Sequence, residues 1–366
     1  MVGKIDRLKI STPGRICLFG EHQDYLGLPI IASAISKRIF IEGIKRNDRV
    51  IRIDLPDIKD AETITLNGLL SYKKGRDYFR SALNVLLKEG YTFPNGFDCV
   101  VHGDIPINSG TSSSSALIVT WINFLLRMSD QSVILSSEKI AEYAHRAEVL
   151  EFSEPGGMMD HYSTSVGNII WLESVPKIKL EKINSRLGAF VLGDSREPKD
   201  TKAILARVKQ GVLNIVNELR KINSEFSLHK IRLDEIEGYK KYLSNEQYEL
   251  LCGTVKNRDI TITAKKVFET DPLDDKKIGD LLNHHHIILR DILRISTSKI
   301  DKMIDAALNA GAYGAKINGS GGGGCMFAYS PEEPEIVLDA VRKISNDAFI
   351  VYSYEGTREE KSEIVK

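Results

Sequence analysis

The sequence has few cysteines, and their positions exclude two common ways of stabilising a protein. Its 366 residues contain four cysteines, which lie far apart along the chain, at Cys17, Cys99, Cys252 and Cys325. Neither a disulfide framework nor a cysteine-based zinc site has this spacing. We therefore expect reduced thiols and a cytoplasmic location.

The sequence also lacks an excess of charge of one sign and any long apolar run. The 50 basic and 50 acidic residues cancel, so a nucleic-acid or anionic-lipid partner is not expected. No stretch approaches the roughly 18 consecutive apolar residues of a membrane span. The first nine residues carry charges with no apolar segment behind them, so no secretion leader is predicted. We expect a monomer or a weak homo-oligomer.

The composition is that of a globular protein with two domains. Hydrophobic residues make up 42% of the chain and charged residues 27%, and the length exceeds the roughly 250–300 residues at which one core stops growing. Short β-rich runs at 8–10, 16–19 and 38–53 precede helical patterns, and the second half is an α+β pattern with long charged helices. A break in the pattern near 175–186 predicts domains at 1–180 and 181–366 that share a cleft.

A loop of small residues at 105–116 runs directly into an apolar helix. Small side chains let backbone N–H groups approach an anion, and the helix N-terminus adds partial positive charge. The loop is not a P-loop, because no Gly-Lys-Ser/Thr follows. A serine-rich cap on a buried helix is the alternative. The predicted phosphate-binding residues are Gly110, Thr111, Ser112, Ser113, Ser114 and Ser115.

A second loop, at 319–324, is almost entirely glycine. Glycine at this density indicates positive φ angles or close approach of a ligand, for which Gly321 and Gly322 are the candidates. A flexible turn is the alternative. A third segment joins Arg15 to Glu21, His22 and Asp24, a mixture of donors and acceptors that suits a polyhydroxylated ligand. On composition alone, these residues are more typical of an ordinary polar surface.

Taken in their order along the chain, the three segments resemble the signature motifs of the GHMP kinase superfamily. The stretch Gly-Glu-His-Gln-Asp-Tyr at 20–25 resembles the galactokinase signature. The resemblance runs from about residue 11 to residue 330. It implies an α+β two-domain fold: an N-terminal α/β domain with a left-handed βαβ unit, a ferredoxin-like C-terminal domain, and an active site between them.

The resemblance also implies roles for individual residues. The stretch 154–161 is similar to the family's Pro-Cys-Gly-Ile-Met-Asp-Gln, which puts Asp160 on the catalytic aspartate, and Arg15 falls on the arginine beside it. Plainer interpretations are a capping aspartate and a structural ion pair. Glu21, His22, Asp24 and the backbone of Gly157 match the sugar contacts.

The implied cofactors are ATP and Mg²⁺, and the resemblance implies that Gly321 and Gly322 contact the ATP. Ser114 matches the magnesium-binding serine of the family, and Glu148 the acidic residue that completes the metal site. Magnesium prefers oxygen ligands and keeps several waters, so these two side chains and two phosphates suffice.

The implied reaction is transfer of the γ-phosphoryl group of ATP to the anomeric hydroxyl of galactose or a related sugar. A mevalonate-type kinase and a non-catalytic galactose and ATP sensor are the alternatives. The sequence departs from the galactokinase pattern at Gly156, Thr111 and Gly322, and the turn 194–202 lacks the family's tyrosine. That turn contains the basic residues Arg196, Lys199 and Lys202. Our hypothesis is that they favour an acidic or substituted sugar as the substrate.

Overall fold

The computed structural model describes residues 5–198 and 201–364, which form two β-sheets with their helices. The larger sheet has eight strands and comes mainly from the first half of the chain. Its strands are β1 (Ile5–Phe19), β2 (Ile30–Lys45), β3 (Val50–Leu55), β4 (Asp60–Thr65), β5 (Phe97–Gly103), β6 (Ile169–Glu173), β7 (Lys179–Ile183) and β12 (Arg358–Ile364).

The strand order of the larger sheet is β12-β1-β2-β5-β3-β4, and β6 pairs with the first part of β2 and with β7. Only β3 and β5 pair in parallel; the other pairs are antiparallel. The two strands predicted at 8–10 and 16–19 are one strand. Its register against β2 shifts between Pro13 and Arg15, a bulge that the proline and the following glycine allow.

The smaller sheet is antiparallel, in the order β11-β8-β10-β9. Its strands are β8 (Phe190–Asp194), β9 (Gly314–Ile317), β10 (Cys325–Tyr329) and β11 (Ala348–Val351). The glycine-rich loop at 319–324 connects β9 to β10, so its position is fixed by two hydrogen-bonded strands.

Nine α-helices are described. They are α1 (Tyr78–Lys88), α2 (Ser113–Met128), α3 (Ser137–His145), α4 (Met159–Val166), α5 (Thr201–Ile222), α6 (Asn245–Phe268), α7 (Asp275–Ile287), α8 (Ser298–Asn309) and α9 (Pro334–Arg342). Wider π-type turns extend α3 over Arg146–Leu150 and α7 over Ile288–Ile292. Single 3₁₀ turns lie at Asp24–Leu26 and Pro56–Ile58, and a longer 3₁₀ segment spans Leu233–Tyr242.

Sequence periodicity predicts α1 and the apolar α2 but not α4. In α4 the hydroxyls of Ser163 and Thr164 bond to backbone carbonyls one turn earlier, a pattern that lowers helix propensity. The apolar signal of this short, polar helix is therefore weak, although it carries Asp160.

Separate apolar cores support the two sheets, and a further cluster joins them. Trp121 and Phe124 of α2 pack with Phe97 in the first core. The joining cluster contains Phe19 of β1 together with Phe327 of β10, all fully buried. A shared apolar core of this kind fixes the relative position of the two sheets.

The boundary between the two domains at residues 180 and 181 stays a prediction. Two strands bear on where the chain passes from one sheet to the other. β7 crosses that point and pairs with β6 in the larger sheet. The last described strand, β12, also returns to the larger sheet and pairs with β1. Among the described residues, no helix has the length and apolar character needed to cross a membrane.

Candidate active site

A cleft lies where the end of β1, the start of α2, the start of α4 and the glycine-rich loop meet. Thr201 and Leu205 of α5 close one side of it, so both halves of the chain contribute walls. Twelve of the predicted site residues line this cleft: Arg15, Glu21, His22, Asp24, Gly110, Ser112, Ser113, Ser114, Ser115, Glu148, Gly157 and Asp160.

Three predicted phosphate-binding residues are not among the lining residues. Thr111 is fully buried, and its hydroxyl donates to the Pro106 carbonyl at 3.3 Å. Gly321 packs against Ile295, and the N–H of Gly322 donates to the Ile295 carbonyl at 2.7 Å. These positions shape the loops, whereas neighbouring Gly319 and Ser320 face the cleft.

The serine-rich loop reaches α2 through two residues with left-handed backbone angles. Gly110 has φ +89° and Ser112, the N-cap residue, has φ +59°. The Ser112 side chain makes no capping hydrogen bond, unlike Ser136 at the start of α3. The helix is therefore not closed by its serine, which leaves its first N–H groups for another acceptor. A Cβ on Gly319 would lie 2.8 Å from the Gly110 carbonyl, so only glycine permits this approach of the two loops.

Arg15 and Asp160 form the centre of the cleft. The Nε and Nη2 atoms of Arg15 lie 2.8 and 2.6 Å from Oδ1 of Asp160, which leaves Oδ2 outside the guanidinium contact. Nη1 of the same arginine donates to the Gly110 carbonyl. One buried cation thus connects the carboxylate at the start of α4 to the serine-rich loop.

The charges around Asp160 keep it ionised. Its enclosed position alone would raise its pKa, but the positive charge of Arg15, with smaller contributions from His161 and Ser112, lowers the pKa below the ordinary value. Asp160 is therefore a carboxylate at neutral pH.

Asp24 faces Asp160 across the cleft in a different state. Burial and the negative charge of Asp160 raise the pKa of Asp24 to about 6. The backbone N–H of Met159 donates to its Oδ2 at 3.2 Å. A Cβ on Gly157 would lie 2.0 Å from the same oxygen, so glycine at 157 is what allows Asp24 to occupy this position.

His22 is held as a neutral ring. Burial lowers its pKa, and its Nε2 lies 3.0 Å from the Ser320 carbonyl, which can only accept. Nε2 therefore carries the proton, and Nδ1 accepts from the Tyr25 hydroxyl at 2.7 Å. Tyr25 also lines the cleft, and no role for it follows from the sequence alone.

Glu21 is almost fully buried and forms an ion pair with Lys316 of β9, at 2.9 Å between Nζ and Oε2. Residue 316 received no role in the sequence prediction. Together with Asp24, Glu21 adds carboxylate acceptors to the wall of the cleft, whereas both ring nitrogens of His22 already have partners.

The donor set expected for a magnesium ion is present in part. Ser114 and Glu148 line the same cleft, and Glu148 accepts from His161 Nε2 at 2.8 Å. A hydroxyl and a carboxylate oxygen are the ligand types that Mg²⁺ prefers. Within residues 5–198 and 201–364, no group of three histidine, cysteine or acidic side chains could hold a metal by itself. The site fits an ion that shares its coordination with phosphate oxygens.

The described basic residues of the turn 194–202 lie outside this cleft. Arg196 and Lys202 line a neighbouring cavity. Arg196 pairs with Asp347 at 2.7 Å, and Lys202 pairs at 2.5 Å with Glu154. Lys199 lies outside the described residues. Arg76, missed by the sequence analysis, lines both cavities and also pairs with Glu154, at 2.9 Å.

Comparison with known proteins identifies the family. The model of the GHMP kinases N-terminal domain matches residues 77–168, that of the GHMP kinases C-terminal region matches 270–347, and the galactokinase galactose-binding signature matches 4–43. The chain belongs to the GHMP kinase family. It is an ATP-dependent phosphotransferase that acts on an alcohol group, and the predicted two-domain GHMP kinase fold is confirmed.

The relatives divide between two substrates. The chain is 30% identical to the mevalonate kinase of Pyrococcus furiosus, over 97% of this chain and 98% of the relative. It is 26% identical to the galactokinase of Actinobacillus succinogenes, over 93% and 89%. Among solved structures, galactokinase from Lactococcus lactis with galactose superimposes with a TM-score of 0.84 at 20% identity, covering 96% and 95% of the two chains. Mevalonate kinase from Methanococcus jannaschii gives 0.72 at 21% identity, covering 95% and 98%.

Proposed function

We propose that this GHMP kinase is a sugar kinase, which transfers the γ-phosphoryl group of ATP to the anomeric hydroxyl of galactose or a related neutral sugar. The products are the sugar 1-phosphate and ADP. One observation carries the proposal: the Arg15–Asp160 pair contacts the serine-rich loop at Gly110 and lines one cleft with the carboxylates of Glu21 and Asp24.

The charges of the cleft favour a neutral substrate. The arginines that line it are Arg15 and Arg76, and both are already paired with carboxylates, Asp160 and Glu154. Among the described lining residues, no other lysine or arginine is present to receive a substrate carboxylate. A polyol meets the opposite requirement, because its hydroxyls donate to carboxylate oxygens. This argument disfavours the acidic sugar that the turn 194–202 suggested.

The geometry supports a role for each of these residues. Asp160 orients the attacking hydroxyl through Oδ2 and accepts its proton as the new oxygen–phosphorus bond forms and the bond to the ADP oxygen breaks. Arg15 keeps Asp160 ionised and stabilises charge on the transferred group. The N-terminus of α2 and the Ser112–Ser115 hydroxyls bind phosphate oxygens. Ser114 and Glu148 would hold Mg²⁺, which neutralises phosphate charge when bound.

A mevalonate kinase is the second candidate, and the sequence relatives favour it. Mevalonate carries a carboxylate, which would meet Glu21, Asp24 and Asp160 in the cleft, and each arginine among the described lining residues is already paired. The galactokinase signature at residues 4–43 supports the sugar instead. A non-catalytic sensor is the third, although Asp160, Arg15 and Ser114 are all in place for turnover.

A substrate panel separates the three candidates. ADP release would be measured with mevalonate, galactose, galacturonate, fucose, N-acetylhexosamines and heptoses, with Asp160→Asn as the inactive control. We expect a neutral sugar to give a kcat/KM at least about 100-fold above those of mevalonate and galacturonate. A factor of this size corresponds to the cost of burying the carboxylate of either acid without a cation to pair with it. Faster turnover of mevalonate would overturn the proposal, and sugar binding without turnover would favour the sensor.

We also propose that the protein acts in the cytoplasm, as a monomer or weak homo-oligomer.

A further inference from the structure

The lysine of β9 makes contacts that a structural residue does not require. Lys316 is fully buried, and its Nζ lies 2.9 Å from Glu21 Oε2, 2.9 Å from the Cys17 carbonyl and 5.0 Å from the centroid of the Phe327 ring. A carboxylate, a carbonyl and an aromatic face thus surround one ammonium group. Each of the three favours a positive charge.

A buried ion pair is a poor way to stabilise a core. Removing two charges from water costs as much as their attraction returns, and apolar replacements of similar volume are often at least as stable. Glu21 and Lys316 are exposed by only 2% and 0%. The pair therefore needs a reason other than stability, and the carboxylate of Glu21 lines the cleft while Lys316 lies behind it.

The contact holds one oxygen of Glu21 and leaves the other for a ligand. Among the hydrogen bonds of the described residues, the one to the Glu21 carboxylate comes from Lys316 and involves Oε2. A carboxylate that is paired from behind presents only acceptor sites to the cleft. It can bind a substrate hydroxyl as acceptor and cannot donate to an ether or carbonyl oxygen.

The pair also joins the two sheets at the substrate site. Glu21 follows β1 of the larger sheet, and Lys316 belongs to the smaller one. Two residues further along, Asn318 accepts from Cys17 N–H at 2.9 Å and donates to the Gly110 carbonyl at 2.8 Å. The end of β9 therefore fixes both the sugar-binding segment and the serine-rich loop.

We propose that Lys316 is a positioning residue that makes Glu21 an obligatory acceptor for one hydroxyl of the sugar, and so helps to set substrate specificity from behind the cleft. The inference rests on the proposed sugar kinase activity. In chemical terms, the enzyme requires the sugar to carry a free hydroxyl at the position that Glu21 contacts. A hydrogen or an ether at that position would not meet this requirement.

The first test compares Lys316→Met with the unchanged protein, using the sugar that the unchanged protein phosphorylates best. Methionine removes the charge and approximately retains the volume. We expect the sugar KM to rise about tenfold or more, as for loss of a hydrogen bond to a charged group, while the ATP KM stays within about twofold. An unchanged sugar KM, or an equal rise in both KM values, would overturn the inference. The control is Lys265→Met, which also removes a lysine that contacts a carboxylate and an aromatic ring, those of Glu181 and Trp171, away from the cleft.

The second test uses the monodeoxy analogues of the same sugar. In the unchanged protein, the analogue that lacks the hydroxyl contacted by Glu21 should lose about tenfold or more in kcat/KM. This penalty should shrink to within about twofold in Lys316→Met and in the double variant Glu21→Gln/Lys316→Met. A full penalty in both variants would contradict the inference.

The double variant also covers the case in which Lys316→Met does not fold, because it leaves no unpaired buried charge. It should fold, bind ATP normally and lose the same deoxy penalty; a double variant that retains every penalty of the unchanged protein would overturn the inference. If the unchanged protein phosphorylates no sugar, the proposed function itself is wrong. If it does, and the lysine variants behave as it does, only the role of Lys316 is wrong.

Discussion

Two ends of the site hold their charges in different ways. At the end proposed to bind the sugar, which we call the sugar end, Arg15 and Lys316 are exposed by 4% and 0% and are bonded to Asp160 and Glu21. At the exposed end, where the cleft borders the neighbouring cavity, Arg76 and Lys202 are exposed by 41% and 56%, and both contact Glu154.

This difference indicates what each end does. Buried partners hold the carboxylates that must meet a sugar in one orientation, since desolvated ionic hydrogen bonds are strong and directional. Exposed pairs contribute little energy and rearrange easily. Changes at the sugar end should therefore have larger effects than changes at the opposite end.

The largest effect is expected for Asp160→Asn. Asparagine keeps the shape of the side chain but cannot accept the proton, so kcat should fall by about 10²- to 10⁴-fold. Binding of sugar and of ATP, measured by calorimetry, should stay close to that of the unchanged protein. A variant that retains more than about a tenth of the activity would show that Asp160 only orients the hydroxyl.

Asp24→Asn tests the acceptor at the sugar end, where we expect kcat/KM for the sugar to fall about 10- to 100-fold. Because the pKa of Asp24 is raised to about 6, the unchanged enzyme should lose sugar affinity as the pH falls through 6, when this acceptor becomes protonated. The variant should lack that limb of the pH profile.

The same substitution should affect stability with a defined sign. The pKa of Asp24 is higher in the folded state than its ordinary value of 3.8, so between pH 3.8 and 6 the folded state binds the proton more tightly. Its contribution to stability is present below this range and is lost as the pH rises through it. Asp24→Asn should therefore raise the melting temperature at pH 7.5, with a smaller gain at pH 5. A lower melting temperature at pH 7.5 would contradict the raised pKa.

Glu148→Gln tests the proposed magnesium site. We expect the Mg²⁺ concentration for half-maximal activity to rise about tenfold or more. Glu142→Gln, an exposed acid of the same helical segment that pairs with Lys139, is the control and should have no such effect. Equal behaviour of the two variants would remove Glu148 from the metal site.

The smallest effect is expected at the exposed end, for Lys202→Met. Loss of an exposed pair is worth about 0.2–1 kcal/mol, so the ATP KM should change by no more than about fivefold and the sugar KM should not change. A loss of activity as large as that of Asp160→Asn would abolish the distinction between the two ends.

The sequence was sufficient to predict segments but not every partner. The serine-rich loop, Asp160 and the Gly20–Tyr25 segment are contiguous motifs, and the structure brings them into one cleft. Thr111, Gly321 and Gly322 were assigned by their position in a motif, yet their groups turn toward Pro106 and Ile295. Adjacent residues in a loop point in different directions, and sequence spacing does not fix which one faces a ligand.

The contacts between distant segments could not be predicted. Lys316 and Glu21 are separated by 295 residues, and nothing local distinguishes this lysine from a surface one. Arg76 and Glu154 meet because the loop before α1 lies against the loop before α4. Such pairs depend on how the sheets and loops pack, which a single sequence does not show.

Identification of the phosphorylated product by NMR tests the central claim most directly. The purified protein would be incubated with ATP, Mg²⁺ and an equimolar mixture of galactose and mevalonate, and the carbon that carries phosphate would be assigned from ³¹P–¹H correlations. We predict phosphate on the anomeric carbon of the sugar and unreacted mevalonate. Phosphomevalonate as the main product, or phosphate on another sugar carbon, would contradict the account.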